Sequence, residues 1–350
     1  MQFIKPDINI DFIGKKKVAF VVSLAMIFIS VASLIVHKGP RYGIDFAGGA
    51  LIQVKFPASV PIDQIKKGLA TVGLNGPSVQ QFGEADANEY LIRTDNTAVT
   101  GEGFSTELQS ALNSTTGKNP EIRRVEMVGP QVGKDLREKA LFAIFFALLF
   151  ITIYISGRFE LKWVLSAVIA LALIGAVILI QYFFNFLQVD NVIPYLIAGA
   201  LAVTLVLFWF LELKYAMGAI VALIHDILIT VGIFSLFGKE FTLPIIAALL
   251  TIIGYSLNDT IIVYDRIREN IRKLHRRSLD LIINRSINET LSRTILTSVT
   301  TLFVVVTLFV LGGGIIHDFA FAMIVGVLVG TYSSVYVASP ILLAWESKGK

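Results

Sequence analysis

From Ile252 to Asn270 the chain reads IIGYSLNDTIIVYDRIREN. The stretch lies in an apolar run that begins near Thr242, is interrupted at Asn258-Asp259, and resumes through Val263 before a basic segment opens at Arg266. An apolar run of about 20 residues has the length needed to cross about 30 Å of hydrocarbon as a helix. An ionisable group inside such a helix costs roughly 2.5–3.5 kcal/mol to insert, so it requires a partner, water or a task. Asp259 thus sets two expectations, a membrane-spanning helix and a functional carboxylate within it, about 9 Å from the nearer end at 1.5 Å per residue. Tyr255 and Ser256, four and three residues earlier, share its face and could bond the carboxyl group or hold water for it. The competing reading is a polar residue at a helix end reaching the interface. The neighbouring Asn258 and the depth of the site weigh against it.

Outward from this stretch the same pattern recurs. The 350 residues are 55% hydrophobic, and the apolar residues gather in long runs, as they do not in a soluble domain. Spans are predicted at Val18–Val36, Ala140–Ser156, Trp163–Leu187, Val192–Leu211, Tyr215–Phe237, Thr242–Tyr264, Thr294–Leu311 and Phe319–Leu343, eight in all. The first follows Lys15, Lys16 and Lys17 but is longer than a signal-peptide core and lacks a convincing cleavage site, so it reads as an uncleaved transmembrane helix. The expected organisation is a cytoplasmic segment 1–16, a first transmembrane helix 17–37, a soluble domain 38–138, a transmembrane bundle 139–345 with a basic loop 265–292, and a cytoplasmic tail 346–350.

The soluble segment has its own periodicity. Alternation around Leu51–Phe56 predicts a strand. Pro61–Val72 begins with proline and places Ile62, Ile65, Leu69 and Val72 on one helical face. Ser78–Phe82 and Glu89–Thr94 read as strands around the turn-prone Gly83–Asn88, Phe104–Leu112 as a helix ending before Gly117, and Glu121–Val128 as a last strand. The order strand, helix, strand, strand, helix, strand is ferredoxin-like.

Charge sets the orientation. Lys5, Lys15, Lys16 and Lys17, and Arg266, Arg268, Arg272, Lys273, Arg276, Arg277 and Arg285, place the N-terminus and the basic loop in the cytoplasm. The connections Gln188–Asn191, Gly238–Glu240 and Gly312–Asp318 then fall outside, as does the soluble domain. The ELKW of Glu160–Trp163 and the ELKY of Glu212–Tyr215, each followed by a similar apolar run, mark an internal repeat that adds a pair of spans.

Further polar residues stand within apolar runs. Asp226, preceded by His225, lies near the middle of its span; a functional carboxylate and a structural interhelical hydrogen bond are both open there. Arg293 begins the seventh span with Thr297 at helical spacing, and is read either as a partner of Asp259 or as a snorkelling arginine. Loss of water favours the neutral acid and a nearby arginine favours the carboxylate, so an aspartate held between them can take up and release a proton. Gly326, Gly330 and Ser334 form a small-residue face suited to close packing. No cysteine is present, the four histidines His37, His225, His275 and His317 lack metal-ligand spacing, and no nucleophile–base set or phosphate loop is seen. No cofactor, metal or enzymatic activity is expected.

Several blocks together resemble the SecF family. They are Tyr42-Gly43-Ile44-Asp45-Phe46-Ala47-Gly48-Gly49, Ala219–Thr230 with His225-Asp226, Ile252–Asn270, Leu291–Thr301, Gly312-Gly313 and Tyr336–Ser339. The resemblance covers nearly the whole chain except about 163–214, where an inserted helix pair would enlarge a family core of six spans. It implies an α-helical polytopic membrane protein related to RND transporters, with a small α+β ferredoxin-like periplasmic domain, in the bacterial cytoplasmic (inner) membrane. It further implies a partner SecD, action near the SecYEG channel and SecA on a translocating preprotein among membrane lipids, no nucleic acid, and use of the proton-motive force. Carried over by motif, Asp259 is the proton-responsive carboxylate, Arg293 its polar partner, Asp226 a supporting candidate, and Gly43, Asp45, Gly48 and Gly49 the signature. A self-contained RND-like small-molecule transporter and a passive membrane scaffold or holding module are the alternatives.

Overall fold

The computed structural model describes residues 8–74, 76–82, 87–95, 103–187, 193–274 and 277–346. Expectations that fall on Lys5, Gly83, Gln188–Asn191, Val192, His275, Arg276 and residues 347–350 lie outside them. Helix α1 (Lys16–Val36) leads through β1 (Arg41–Tyr42) and the single turn α2 (Ile44–Ala47) into an α+β unit of β2 (Gly49–Lys55), α3 (Ile62–Thr71), β3 (Ser78–Phe82), β4 (Glu89–Thr94), α4 (Phe104–Thr116) and β5 (Glu121–Val128). The strands pair antiparallel in the order β3-β4-β2-β5, the split βαβ arrangement that the alternation predicts. Ala50, Ile52 and Val54 point from β2 onto Ile65 and Leu69 of α3 and Leu108 and Leu112 of α4, all buried. Helix α4 runs one turn past its predicted end and stops at Gly117, whose left-handed φ of 65° suits glycine.

The bundle comprises α5 (Pro130–Glu160), α6 (Trp163–Phe186), α7 (Ile193–Phe210), α8 (Lys214–Leu236), α9 (Leu243–Lys273), α10 (Leu279–Leu311), α11 (Gly313–Ser333) and α12 (Ser339–Glu346), with β6 (Glu240–Phe241) before α9 and a wide π turn, Ser334–Ala338, joining α11 to α12. Seven apolar stretches among the described residues are long enough to cross a membrane. The predicted Val192–Leu211 span is the shorter helix α7, whose 18 residues extend about 27 Å.

Two boundaries differ from expectation. Helix α5 starts at Pro130, so the division placed at 138/139 falls inside it. Proline suits a first helical turn, and Lys134, Arg137, Glu138 and Lys139 are good helix formers; polarity marks where a helix leaves lipid, not where it begins. Likewise most of the basic loop 265–292 is helix, since α9 continues to Lys273 and α10 starts at Leu279. Ile267, Ile283 and Ile287 keep an apolar seam buried there. Arg266 pairs with Glu269 and Glu289 at 2.6 Å each, and Arg285 with Glu289 at 2.8 Å.

Helix α8 is the hub, packed on α1, α5, α9 and α11. The pair α6–α7 lies outside, joined to α5 through Phe145, Leu149, Ala170, Leu173, Val177, Ile197 and Ala200. The two repeat copies meet at its base. Glu160 Oε1 accepts the Tyr215 backbone N–H at 2.9 Å, and Lys162 Nζ donates to Leu211 O at 2.7 Å. An acid thus sits at the positive start of α8 and a base at the negative end of α7.

Candidate functional site

Asp259 is 1% exposed, in the middle of the unbroken α9. Among the described residues its Oδ2 has no hydrogen-bond partner, and Thr294 Oγ1 on α10 is likewise buried without one. Tyr255 and Ser256 share the helix but bond elsewhere: Tyr255 OH donates to Ser298 Oγ at 3.2 Å, and Ser256 Oγ donates to Asp226 Oδ2 at 2.6 Å. Asn258 and Arg293 are exposed, and among the described residues no ion pair links Arg293 to Asp259. Thr297 bonds back to Arg293 O at 2.7 Å, so the predicted polar stripe is largely satisfied along its own helix.

Asp226 has the reverse character, 0% exposed and fully engaged. Oδ2 accepts from Ser256 Oγ and from Ser333 Oγ at 2.8 Å, while Oδ1 lies 2.9 Å from His225 Nδ1. The chain of bonds continues from His225 Nε2 to Ser23 Oγ at 3.1 Å, on to Tyr332 OH at 3.0 Å, and ends on Ala19 O at 2.7 Å. A hydroxyl has one hydrogen to give. Tyr332 commits its own to Ala19 O, so Ser23 donates to Tyr332 and His225 Nε2–H donates to Ser23. One further proton then lies between His225 Nδ1 and Asp226 Oδ1, and this polar string joins α1, α8, α9 and α11.

The helices that carry these groups approach closely because small residues line them. A side chain at Gly330 would press on Ser256 Cβ at 2.9 Å, and one at Gly326 on Ile252 at 2.3 Å. On the other side, Ser30 fills the space over Gly232, and Ser33 bonds Ser235 at 3.0 Å. Of the predicted small-residue face, Gly326 and Gly330 therefore pack on α9, while Ser334 falls in the π turn after α11. The serine stripe Ser23, Ser30 and Ser33 was missed; its spacing of seven and three residues is the signal that could have revealed it.

The signature Gly43–Gly49 lies at the N-terminal end of α9. β1 pairs parallel with β6, Arg41 opposite Glu240 and Tyr42 opposite Phe241, and the Gly43 N–H donates to Phe241 O at 2.8 Å. Asp45 Oδ2 accepts the Leu243 N–H at 2.8 Å. Gly48 and Gly49 have φ of 80° and 110°. A Cβ on them would meet Pro130 Cα at 2.9 Å and Thr94 O at 2.5 Å, so only glycine fits.

A bundle of long apolar helices with a split βαβ unit on the loop after its first helix defines a multi-pass membrane protein, and among the described residues two carboxylates, Asp226 and Asp259, are buried in the bundle. The family described as protein export membrane protein SecD/SecF, C-terminal, matches residues 108–204 and 187–348, and the SecD/SecF GG motif matches 33–56, which contains Gly43, Asp45, Gly48 and Gly49. Protein translocase subunit SecF of Calditerrivibrio nitroreducens is 38% identical across 100% of this chain and 98% of its own length. The SecF subunit of Magnetococcus marinus is 40% identical across 99% and 95%. Among solved structures, the translocon-associated SecDF from Thermus is 30% identical with a TM-score of 0.70 over 99% of this chain. SecDF in a super-membrane-facing form is 31% identical with a TM-score of 0.62. This chain spans 40% of the length of each of those SecDF chains. The chain belongs to the SecF branch of the SecD/SecF family.

Proposed function

We propose that this chain is a SecF-type subunit of the Sec protein-export machinery that couples the proton-motive force to late steps of preprotein translocation, working with SecD at the SecYEG channel served by SecA. The observation that carries this reading is Asp259, buried at 1% exposure with an oxygen that no group among the described residues satisfies. A carboxylate so placed costs several kcal/mol unless it is protonated, solvated or paired, so gain or loss of one proton favours different helix arrangements. One charge crossing the field gains about 2.3 kcal/mol per 100 mV, enough to bias states that differ by a few kcal/mol. Asp226 with His225 is the supporting proton-holding pair, and Arg293 stands on the adjacent helix as the nearby cation.

The chain sits in the bacterial cytoplasmic membrane, with its α+β unit on the periplasmic side and the N-terminal segment and the α9–α10 turn in the cytoplasm. Two contacts support one shared face for those last two parts: Ile10 N–H donates to Asn288 Oδ1 and Phe12 N–H to Asn284 Oδ1, both at 2.8 Å. In the periplasmic placement the α+β unit contacts emerging preprotein, and α6–α7 faces lipid. The test is Asp259→Asn. The variant accumulates normally and loses at least ten-fold of the export stimulated by the proton-motive force; wild-type export would overturn the reading. A passive scaffold predicts that removing the α+β unit matters while Asp259→Asn and Arg293→Ala do not. Export at low and high sodium separates proton from sodium coupling.

A further inference from the structure

Helix α9 has no cap of its own. Thr242 precedes it without offering a side-chain hydrogen bond, and the Leu243 N–H is satisfied instead by Asp45, 198 residues earlier in the chain. Asp45 belongs to α2, which continues through Gly48 and Gly49 directly into β2, an inner strand of the α+β sheet. A second tie runs in parallel: Arg93 of β4, the neighbour of β2, forms an ion pair with Glu240 of β6, three residues before α9. A third is the β1–β6 pairing itself, with Gly43 N–H on Phe241 O. Beneath them Phe46 is buried against Phe241, Ile245 and Ala248, which fixes the start of α9 sideways as well as end-on. From Leu243 to Asp259 the helix is continuous, a rigid reach of about 24 Å.

We infer that Asp45 and the Arg93–Glu240 pair form a joint that fastens the α+β unit to the helix carrying Asp259, so that unit and helix move as one body. Asp45 is a positioning residue, and the signature exists to make this joint. The inference rests on the role of Asp259 proposed above. It assigns the second half of that role: a displacement of α9 set by the carboxylate reaches the α+β unit through the joint, without relay through other helices.

The experiment uses the full chain in its native membrane and measures export with and without a proton-motive force. Asp45→Ala removes the acceptor and lowers the stimulated part of export at least five-fold, leaving the unstimulated rate unchanged. Asp45→Asn keeps an acceptor oxygen and stays within two-fold of wild type. Arg93→Glu and Glu240→Arg each impair stimulation, and the two together recover more than half of the loss. Because the sequence has no cysteine, Arg93→Cys with Glu240→Cys can be bridged by a bismaleimide, and a joint that moves as a unit tolerates the bridge. Where Asp45→Ala does not accumulate, the charge swap and the bridge decide. Full stimulation in Asp45→Ala, equal damage from Asp45→Asn, or export stopped by the bridge would each overturn the joint. Wild-type stimulation in Asp259→Asn would instead remove the proposed coupling itself, while loss there beside none in Asp45→Ala overturns the joint alone.

Discussion

Replacing Asp226 by alanine and by asparagine separates what its hydrogen bonds contribute from what its proton contributes. Alanine removes the acceptor for Ser256, Ser333 and His225, which lie 2.6, 2.8 and 2.9 Å from it. Interhelical hydrogen bonds inside a membrane average about 0.6 kcal/mol and reach about 1.7. The bonds from Ser256 and Ser333 cross between helices and together give a loss of about 1.2 kcal/mol with a ceiling of about 3.4, while the His225 contact lies within α8. The lower figure is favoured, because Ser333 already has Gly330 O at 3.1 Å to turn to. Asparagine keeps the shape. Its carbonyl oxygen accepts from both serines and its amide donates to His225 Nδ1, while Nε2–H still donates to Ser23. Every bond survives with a neutral ring, so Asp226→Asn unfolds within about 0.5 kcal/mol of wild type. The assay is reversible unfolding in mixed micelles, followed by helical signal. An Asp226→Ala variant as stable as wild type, or an Asp226→Asn variant as unstable as Asp226→Ala, would refute the reasoning. Export by a well-folded Asp226→Asn then reports on the proton alone.

Gly49→Ala places a methyl group 2.5 Å from Thr94 O at a φ of 110°, and lowers stability by about 1–3 kcal/mol, seen as a reduced melting temperature. Asn284→Ala with Asn288→Ala frees residues 10–13 from the side of α10, where Ile10 N, Phe12 N, Ile13 N and Ile10 O are now bonded; limited proteolysis then cuts near Lys15 at least ten-fold faster. Deleting 163–214, so that Lys162 joins Tyr215, leaves a chain that still folds, since Glu160 already reaches the Tyr215 N–H at 2.9 Å. Its unfolding midpoint stays within a few degrees of the full chain, and aggregation on expression would show the pair to be integral.

Strands β3, β4 and β5 and the start of α4 were legible because alternation and turn residues are local properties of the chain. Spans were legible because lipid demands length and apolarity from each helix separately. Helix ends were not: the run from Pro130 to Lys139 and the segments around 265–292 are polar yet helical, and in the latter the apolar seam and the Arg266–Glu289 ion pair join residues on different helices. The buried carboxylates could be found as costly residues in apolar runs, but their partners could not. His225 and Ser23 meet across 202 positions, and no spacing rule predicts that Ser256 serves Asp226 rather than Asp259. The signature glycines were read as backbone devices, which their positive φ explains, whereas Asp45 acts on a helix far along the chain.

The base of the α6–α7 pair has a consequence for how such a bundle can grow. Glu160 and Lys162 belong to the first ELK copy, yet they secure the start of α8 and the end of α7, where the second copy lies. The fastenings at the base of the pair therefore lie outside it, on residues that precede α6. Because the pair leaves and returns on one side, every residue downstream keeps its address.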